Sequence, residues 1–191
     1  MLIKAGNITN LTEARYFSSK AVSQIGFNFN QESENAIAPI QAQQIIGWLE
    51  GPEIVAEFAN ERKAEIQEII TVLNLQTLKI LIHRLSELEN LNVALILQCT
   101  LADIDEDHKS PYILQLAITE KQFQEHSDKI KKLIQNNRVI LEMDWTPEWL
   151  LKCMDEFQPY GINFNGSGEL KTGAKSFEQM DALFELMQDE F

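Results

Sequence analysis

LIKAGNITNLTEARYFSSKAVSQIGFNF, Leu2 to Phe29, reads as strand, capped helix and strand, and the rest of the chain repeats that unit. Leu2 to Ala5 is a short apolar run. Asn10 stands three residues before Glu13, the capping-box spacing in which each side chain satisfies an orphan amide of the other's turn, so a helix is expected from there. Leu11, Ala14 and Phe17 recur at the helical period, and Gln24 to Phe29 returns as an extended run with β-propensity.

Beyond that unit, Pro39 opens a helix whose Ile40, Ile45 and Trp48 space along one side and which Gly51 closes. Ile54 to Phe58 is a third strand, Asn60 caps a helix carrying Ile66, Ile69, Ile70 and Leu73, and Thr77 to Ile82 is a fourth strand. Ser86 and Glu89 form another capping-box pair, and Val93 to Cys99 is the nearly continuous apolar run of a strand buried on both faces. Leu101 to Ser110 is short and acidic, so no full helix is expected there. Tyr112 to Ile118 is strand six, Ser127 opens a helix with Ile130, Leu133 and Ile134, and Val139 to Met143 is strand seven. Thr146-Pro147-Glu148 is a strong helix start. Tyr160 to Phe164 is strand eight, and Ser176 with Gln179 caps a last helix bearing Phe177, Met180, Leu183, Phe184 and Met187. The order predicts an α/β fold: a compact (β/α)8 TIM barrel with an abbreviated element between strands five and six. An open doubly wound sheet is the alternative, but Gly-x-Gly-x-x-Gly is missing after strand one.

With 191 residues, 45% of them hydrophobic and no shift in composition, the chain is read as a single domain over residues 1–191. No run approaches the ~18 apolar residues of a membrane span, and the N-terminus lacks a secretory pattern, so no membrane association and a cytoplasmic location are expected. Cys99 and Cys153 lie far apart without a CxxC, and His83, His108 and His126 show no ligand spacing, so reduced buried thiols, no metal and no cofactor are expected. Sixteen basic against twenty-nine acidic residues give a net charge of −13, which disfavours nucleic acid as a partner. Trp48, Trp145 and Trp149 would supply anchors for another copy or a partner protein wherever they are exposed.

The opening stretch resembles the phosphoribosylanthranilate isomerases of tryptophan biosynthesis. Their chains begin Lys-Ile-Cys-Gly-Ile-Thr-Asn and continue to Gly-Phe-Val-Phe, and Lys4, Ile8, Thr9, Asn10, Gly26, Phe27 and Phe29 fall in that register. Pro159 to Glu169 is the other specific segment. The resemblance implies the barrel, and an Amadori rearrangement that opens a phosphorylated ribose attached to anthranilate. In that family an aspartate ending strand six protonates the ring oxygen and the strand-one cysteine removes a proton from C2. Here Gly6 holds the cysteine's position and Asn7 that of the glycine after it, while Gln115 stands at or next to the aspartate's. Asn35 falls where the family's substrate-gripping arginine lies, and Met143 and Asp144 where it has a glycine pair. Both proton-transfer roles are vacant, since neither a glutamine amide nor a glycine titrates.

Active sites of such barrels form where strands end. The candidate catalytic groups are therefore Glu57, Gln115 and Asp144, and the candidate ligand-binding residues are Gly6, Asn7, His83, Asn165, Gly166, Ser167 and Gly168. The last three would offer backbone amides at the last helix. Charged residues in buried strands are costly unless paired, so Lys4 is expected to meet Glu57 or Glu142. A carboxylate such as Asp144 about 5 Å from a phosphate costs ~3 kcal/mol per unit charge at an effective dielectric near 20. The favoured reading is a barrel that has lost isomerisation and binds a small metabolite or a partner protein, because four family positions change together. The alternative is a divergent isomerase in which Glu57 or Asp144 takes over proton transfer.

Overall fold

The computed structural model describes residues 1–166 and 177–189, so Ser167, Gly168, Glu169 and Ser176 lie outside the described residues. Eight parallel strands close in sequence order: β1 (Leu2–Gly6), β2 (Gln24–Asn28), β3 (Glu53–Glu57), β4 (Thr77–Leu81), β5 (Ala94–Cys99), β6 (Ile113–Ala117), β7 (Val139–Glu142) and β8 (Gly161–Asn165). The barrel seals where β8 pairs with β1, in register from Leu2 with Gly161 to Gly6 with Asn165. A Cβ at position 161 would sit 2.7 Å from the Leu2 carbonyl oxygen, so glycine sets how closely the seam approaches. The open sheet is excluded.

The helices α1 (Leu11–Ser19), α2 (Pro39–Ile46), α3 (Lys63–Leu73), α4 (Leu85–Leu88), α5 (Glu120–Glu125), α6 (Ser127–Asn136), α7 (Pro147–Lys152) and α8 (Phe177–Asp189) lie between or after the strands. Asn10 caps α1 by accepting the Glu13 N–H at 2.9 Å, but the Glu13 carboxylate turns back one residue further, to the Thr9 N–H at 3.1 Å. Thr146 caps α7 as its sequence predicts, with Pro147 at the first position. Other expectations are corrected. Arg62, not Asn60, precedes α3, and its N–H is held by Glu65 at 3.1 Å. Ser86 lies inside α4, entered through a 3-10 turn at Ile82–Arg84, and is no cap. On α2 the buried residues are Ala42 and Ile45, whereas Ile40 is 62% and Trp48 72% exposed; the helix ends at Ile46, well before Gly51. The additional helix α5, capped by Thr119, carries Phe123 as its only buried residue, too little apolar periodicity to read. Cys99 to Ile113 passes in turns without a helix, Leu101 and Ile104 being buried and their carbonyls held by Lys129 Nζ at 2.7 Å each.

Apolar packing is uneven across the sheet. Outside the barrel one continuous core joins strands to helices, from Ala5 and Phe27 to Leu183 and Phe184. Inside, Val55, Ile96 and Ile140 pack with the partly buried Leu2 and Ile113 as a single small layer. Barrel interiors are ordinarily filled by several layers of branched side chains. Here the space above that layer is left to polar groups. Trp145 and Trp149 are buried, which leaves Trp48 as the exposed tryptophan. Among the described residues no helix is long and apolar enough to cross a membrane.

Candidate functional site

Side chains alternate across a strand, so the residues that share the barrel interior with Leu2 and Val55 are Lys4 and Gly6 on β1 and Glu57 on β3. Lys79 is the registered neighbour of Glu57 on β4, and Asn163 that of Lys4 on β8. The result is a buried ionic cluster. Lys4 Nζ pairs with Glu57 Oε1 and donates to Asn163 Oδ1 at 3.0 Å, and Lys79 Nζ lies 3.3 Å from Glu57 Oε2. Lys4 is fully buried and Glu57 is 2% exposed. Burial alone would raise the Glu57 carboxyl, but the two ammonium groups outweigh it and hold it down at about 2. Burial pushes the Lys4 amine below its usual value, against the pull of Glu57. Glu57 is thus a fixed anion at physiological pH.

Above the cluster runs a chain of amides. Asn28 Nδ2 donates to Asn7 Oδ1 at 2.9 Å, Asn7 Nδ2 to Asn165 Oδ1 at 3.0 Å, and Asn165 Nδ2 to Glu142 Oε1 at 2.7 Å. Gln115 Nε2 donates to Glu142 Oε2 at 2.6 Å, and Asn163 Nδ2 to Asn165 Oδ1 at 2.9 Å. Asn7 takes a left-handed conformation, φ 55°, which asparagine tolerates better than most residues. These groups border a cavity of about 280 Å³ at the C-terminal mouth, walled by Asn7, Asn28, Asn35, Glu57, Lys79, Gln98 and Glu142 among others. A larger groove of about 640 Å³ lies away from it, between α2 and α3 on the outer surface.

Of the residues selected from sequence, Glu57, Asn7 and Asn165 fall in this network, and Gly6 lies directly on it. A Cβ on Gly6 would sit 3.0 Å from each of Asn163 Oδ1, Glu57 Oε1 and Lys4 Nζ, so the cluster occupies the space a cysteine would enter. Gln115 is fully buried beneath Glu142, with its Oε1 unpartnered. His83 is exposed on the 3-10 turn after β4, and Asp144 is exposed beyond β7; neither walls the cavity. The expectation that Gly166 offers a free amide is corrected, because its N–H donates to the Gly6 carbonyl at 2.8 Å. Ser167 and Gly168 are outside the described residues. Among the described residues no three His, Cys, Asp or Glu side chains gather as a metal site.

No protein-family model matches the chain, and no curated protein does. Solved structures do. Over its whole length the chain superposes on all of the phosphoribosylanthranilate isomerase from Thermus thermophilus, with TM-score 0.83 and 21% identity. TrpF from Jonesia denitrificans superposes with TM-score 0.81 and 15% identity, over 98% of this chain and 97% of that one. A third isomerase, in complex with reduced 1-(o-carboxyphenylamino)-1-deoxyribulose 5-phosphate, gives TM-score 0.76 and 16% identity over 99% and 100%. The fold is that of the phosphoribosylanthranilate isomerases. The resemblance carried by the opening stretch therefore meets its structural counterpart across the whole barrel.

Sequence reading passed over Lys79, Asn28 and Asn163. Lys79 had a usable signal, a lysine inside the otherwise apolar run Leu78 to Leu81, whereas asparagines carry no comparable cost pattern. Gly26 is the other residue that makes the cluster fit, since a Cβ there would overlap the Glu57 carboxylate and lie 2.8 Å from its Cδ. Gly26→Ala is expected to destabilise the protein by roughly 1–3 kcal/mol through overpacking, read as a lowered midpoint in urea. An unchanged midpoint would show that Glu57 can move aside.

Proposed function

We propose that this chain is a barrel related to the isomerases of tryptophan biosynthesis that lacks efficient isomerase activity and holds a small polar metabolite at its mouth. The observation that carries this is the state of Glu57. General base catalysis works best with a pKa near the operating pH, and a carboxylate held at about 2 between Lys4 and Lys79 is a poor proton acceptor. Gly6 has no side chain to replace it, and Gln115 serves as an amide donor to Glu142. What remains is a polar concavity with fixed hydrogen-bonding groups, which suits binding. The decisive assay is turnover of phosphoribosylanthranilate by the purified protein, with none expected. The second reading, an isomerase with replacement groups, runs through Glu142, the carboxylate in the cavity wall that no lysine contacts among the described residues.

Ribose 5-phosphate is expected to show no micromolar binding when followed by tryptophan emission. Trp145 is a suitable reporter, because its indole Nε1 donates at 2.9 Å to the backbone carbonyl of Asn163, whose side chain touches Lys4. Asp144 is exposed, so at ~5 Å its repulsion of a phosphate falls to about 1 kcal/mol in water, and Asp144→Gly should strengthen binding only severalfold. Micromolar affinity in the unaltered protein would contradict this.

A further inference from the structure

We infer that the mouth cavity takes a small uncharged polyhydroxylated ligand, a free monosaccharide or sugar alcohol without a phosphate. This rests on the metabolite-binding reading and names its ligand class. Size sets the first limit: about 280 Å³ corresponds to roughly nine waters at ~30 Å³ each, the scale of one sugar ring and not of a ring joined to a second aromatic group.

Charge sets the second limit. Among the described residues the charges in the cavity wall and the cluster beneath it are two ammonium groups, Lys4 and Lys79, and two carboxylates, Glu57 and Glu142. Both lysines already face Glu57, and Lys4 also lies within the field of Glu142. Among the described residues an arriving phosphate dianion would find no lysine of the cavity wall or the cluster beneath it without a carboxylate partner, whereas a neutral ligand disturbs none of these pairs.

The wall chemistry then favours hydroxyls. Among the described residues the side-chain amides of Asn35 and Gln98 line the cavity and hydrogen-bond to no other group. Each carboxamide offers two donors and an acceptor, and a hydroxyl is both donor and acceptor, so adjacent hydroxyls on one ring match amides better than they match single charges. Lys79 and Glu142 can add charge-assisted bonds to the same hydroxyls. Ala59 and Leu81 give the cavity its small apolar edge, against which the C–H face of a sugar can rest.

The test uses the full chain with D-ribose, D-xylose, D-glucose and sorbitol as probes, against ribose 5-phosphate and inorganic phosphate, by calorimetry and Trp145 emission. At least one neutral probe is expected to bind with Kd of ~1 mM or tighter, and at least about tenfold more tightly than ribose 5-phosphate. Gln98→Leu and Asn35→Leu, at positions outside the buried ionic cluster, should each weaken that binding about tenfold while leaving the melting temperature in place. Tighter binding of ribose 5-phosphate, no binding by any of the four neutral probes, or unchanged affinity in both variants overturns the inference. Turnover of phosphoribosylanthranilate is a separate outcome that overturns the metabolite-binding reading on which it rests.

Discussion

The purified protein is expected to leave phosphoribosylanthranilate unconverted, and its gene to fail in complementing a tryptophan auxotroph that lacks the isomerase. A positioned acid or base contributes ~10²–10⁴-fold, so with both roles vacant the deficit is roughly 10⁴–10⁸-fold where the effects multiply. The structure adds a reason why single repairs should fail. A Gly6→Cys side chain enters space bounded at 3.0 Å by Lys4, Glu57 and Asn163, so it must push the cluster aside before a thiol can face the cavity. Gln115→Asp alone would place a second carboxyl against Glu142, to which Gln115 now donates. Acid and base act as a unit, so Gly6→Cys with Gln115→Asp should exceed either single variant by more than their product, though both start from a rearranged site. Complementation by the unaltered gene would refute the inactive reading and direct the search for a base to Glu142.

The fold was legible because its signals are local and repeated. Asn10 and Thr146 are residue types whose side chains accept amide protons, and both cap the helices they announce. Arg62 is not such a type, and α3 begins there because Glu65 reaches back to its N–H, which no reading centred on Asn60 would find. At the mouth, Glu57 and Lys4 were legible as charges in buried strands. Their meaning was not. Whether Glu57 is a base or a counter-ion depends on Lys79, which joins it only through the β3–β4 register. Likewise the vacancy at Gly6 looks like a deletion in the sequence, but in the barrel it is the clearance that lets Lys4, Glu57 and Asn163 meet. The amide chain from Asn28 to Glu142 runs from β2 through Asn7, the residue that follows β1, to β8 and β7, so barrel closure itself assembles it.

Breaking the ionic cluster is the perturbation expected to affect stability most. Glu57→Gln keeps the shape but strands two buried ammonium groups, and removing one partner of a buried pair typically costs about 3–5 kcal/mol. For a chain of this size that is a melting-point loss of roughly 6–20 °C. The pH dependence separates charge from packing. In the unaltered protein the folded Glu57 carboxyl sits at about 2, below its value of 4.5 in an unfolded chain. Its contribution is therefore fully present above pH 4.5 and is lost as the pH falls toward 2. Lys4, lowered by burial, acts in the same direction at the alkaline end, where the folded state gives up its proton before the unfolded state does and stability rises with pH. In Glu57→Gln the share of the acid-side loss that Glu57 supplies should vanish, and the alkaline-side gain should grow because Lys4 has lost its nearest anion. Urea midpoints measured from acid to alkaline pH would show this exchange of slopes. The triple variant Lys4→Met, Glu57→Leu, Lys79→Met should recover most of the lost stability, since replacing a buried ionic group whole by apolar side chains is often neutral or favourable. A triple variant no more stable than Glu57→Gln would mean that the cluster holds the barrel together by shape, and that its charges are incidental.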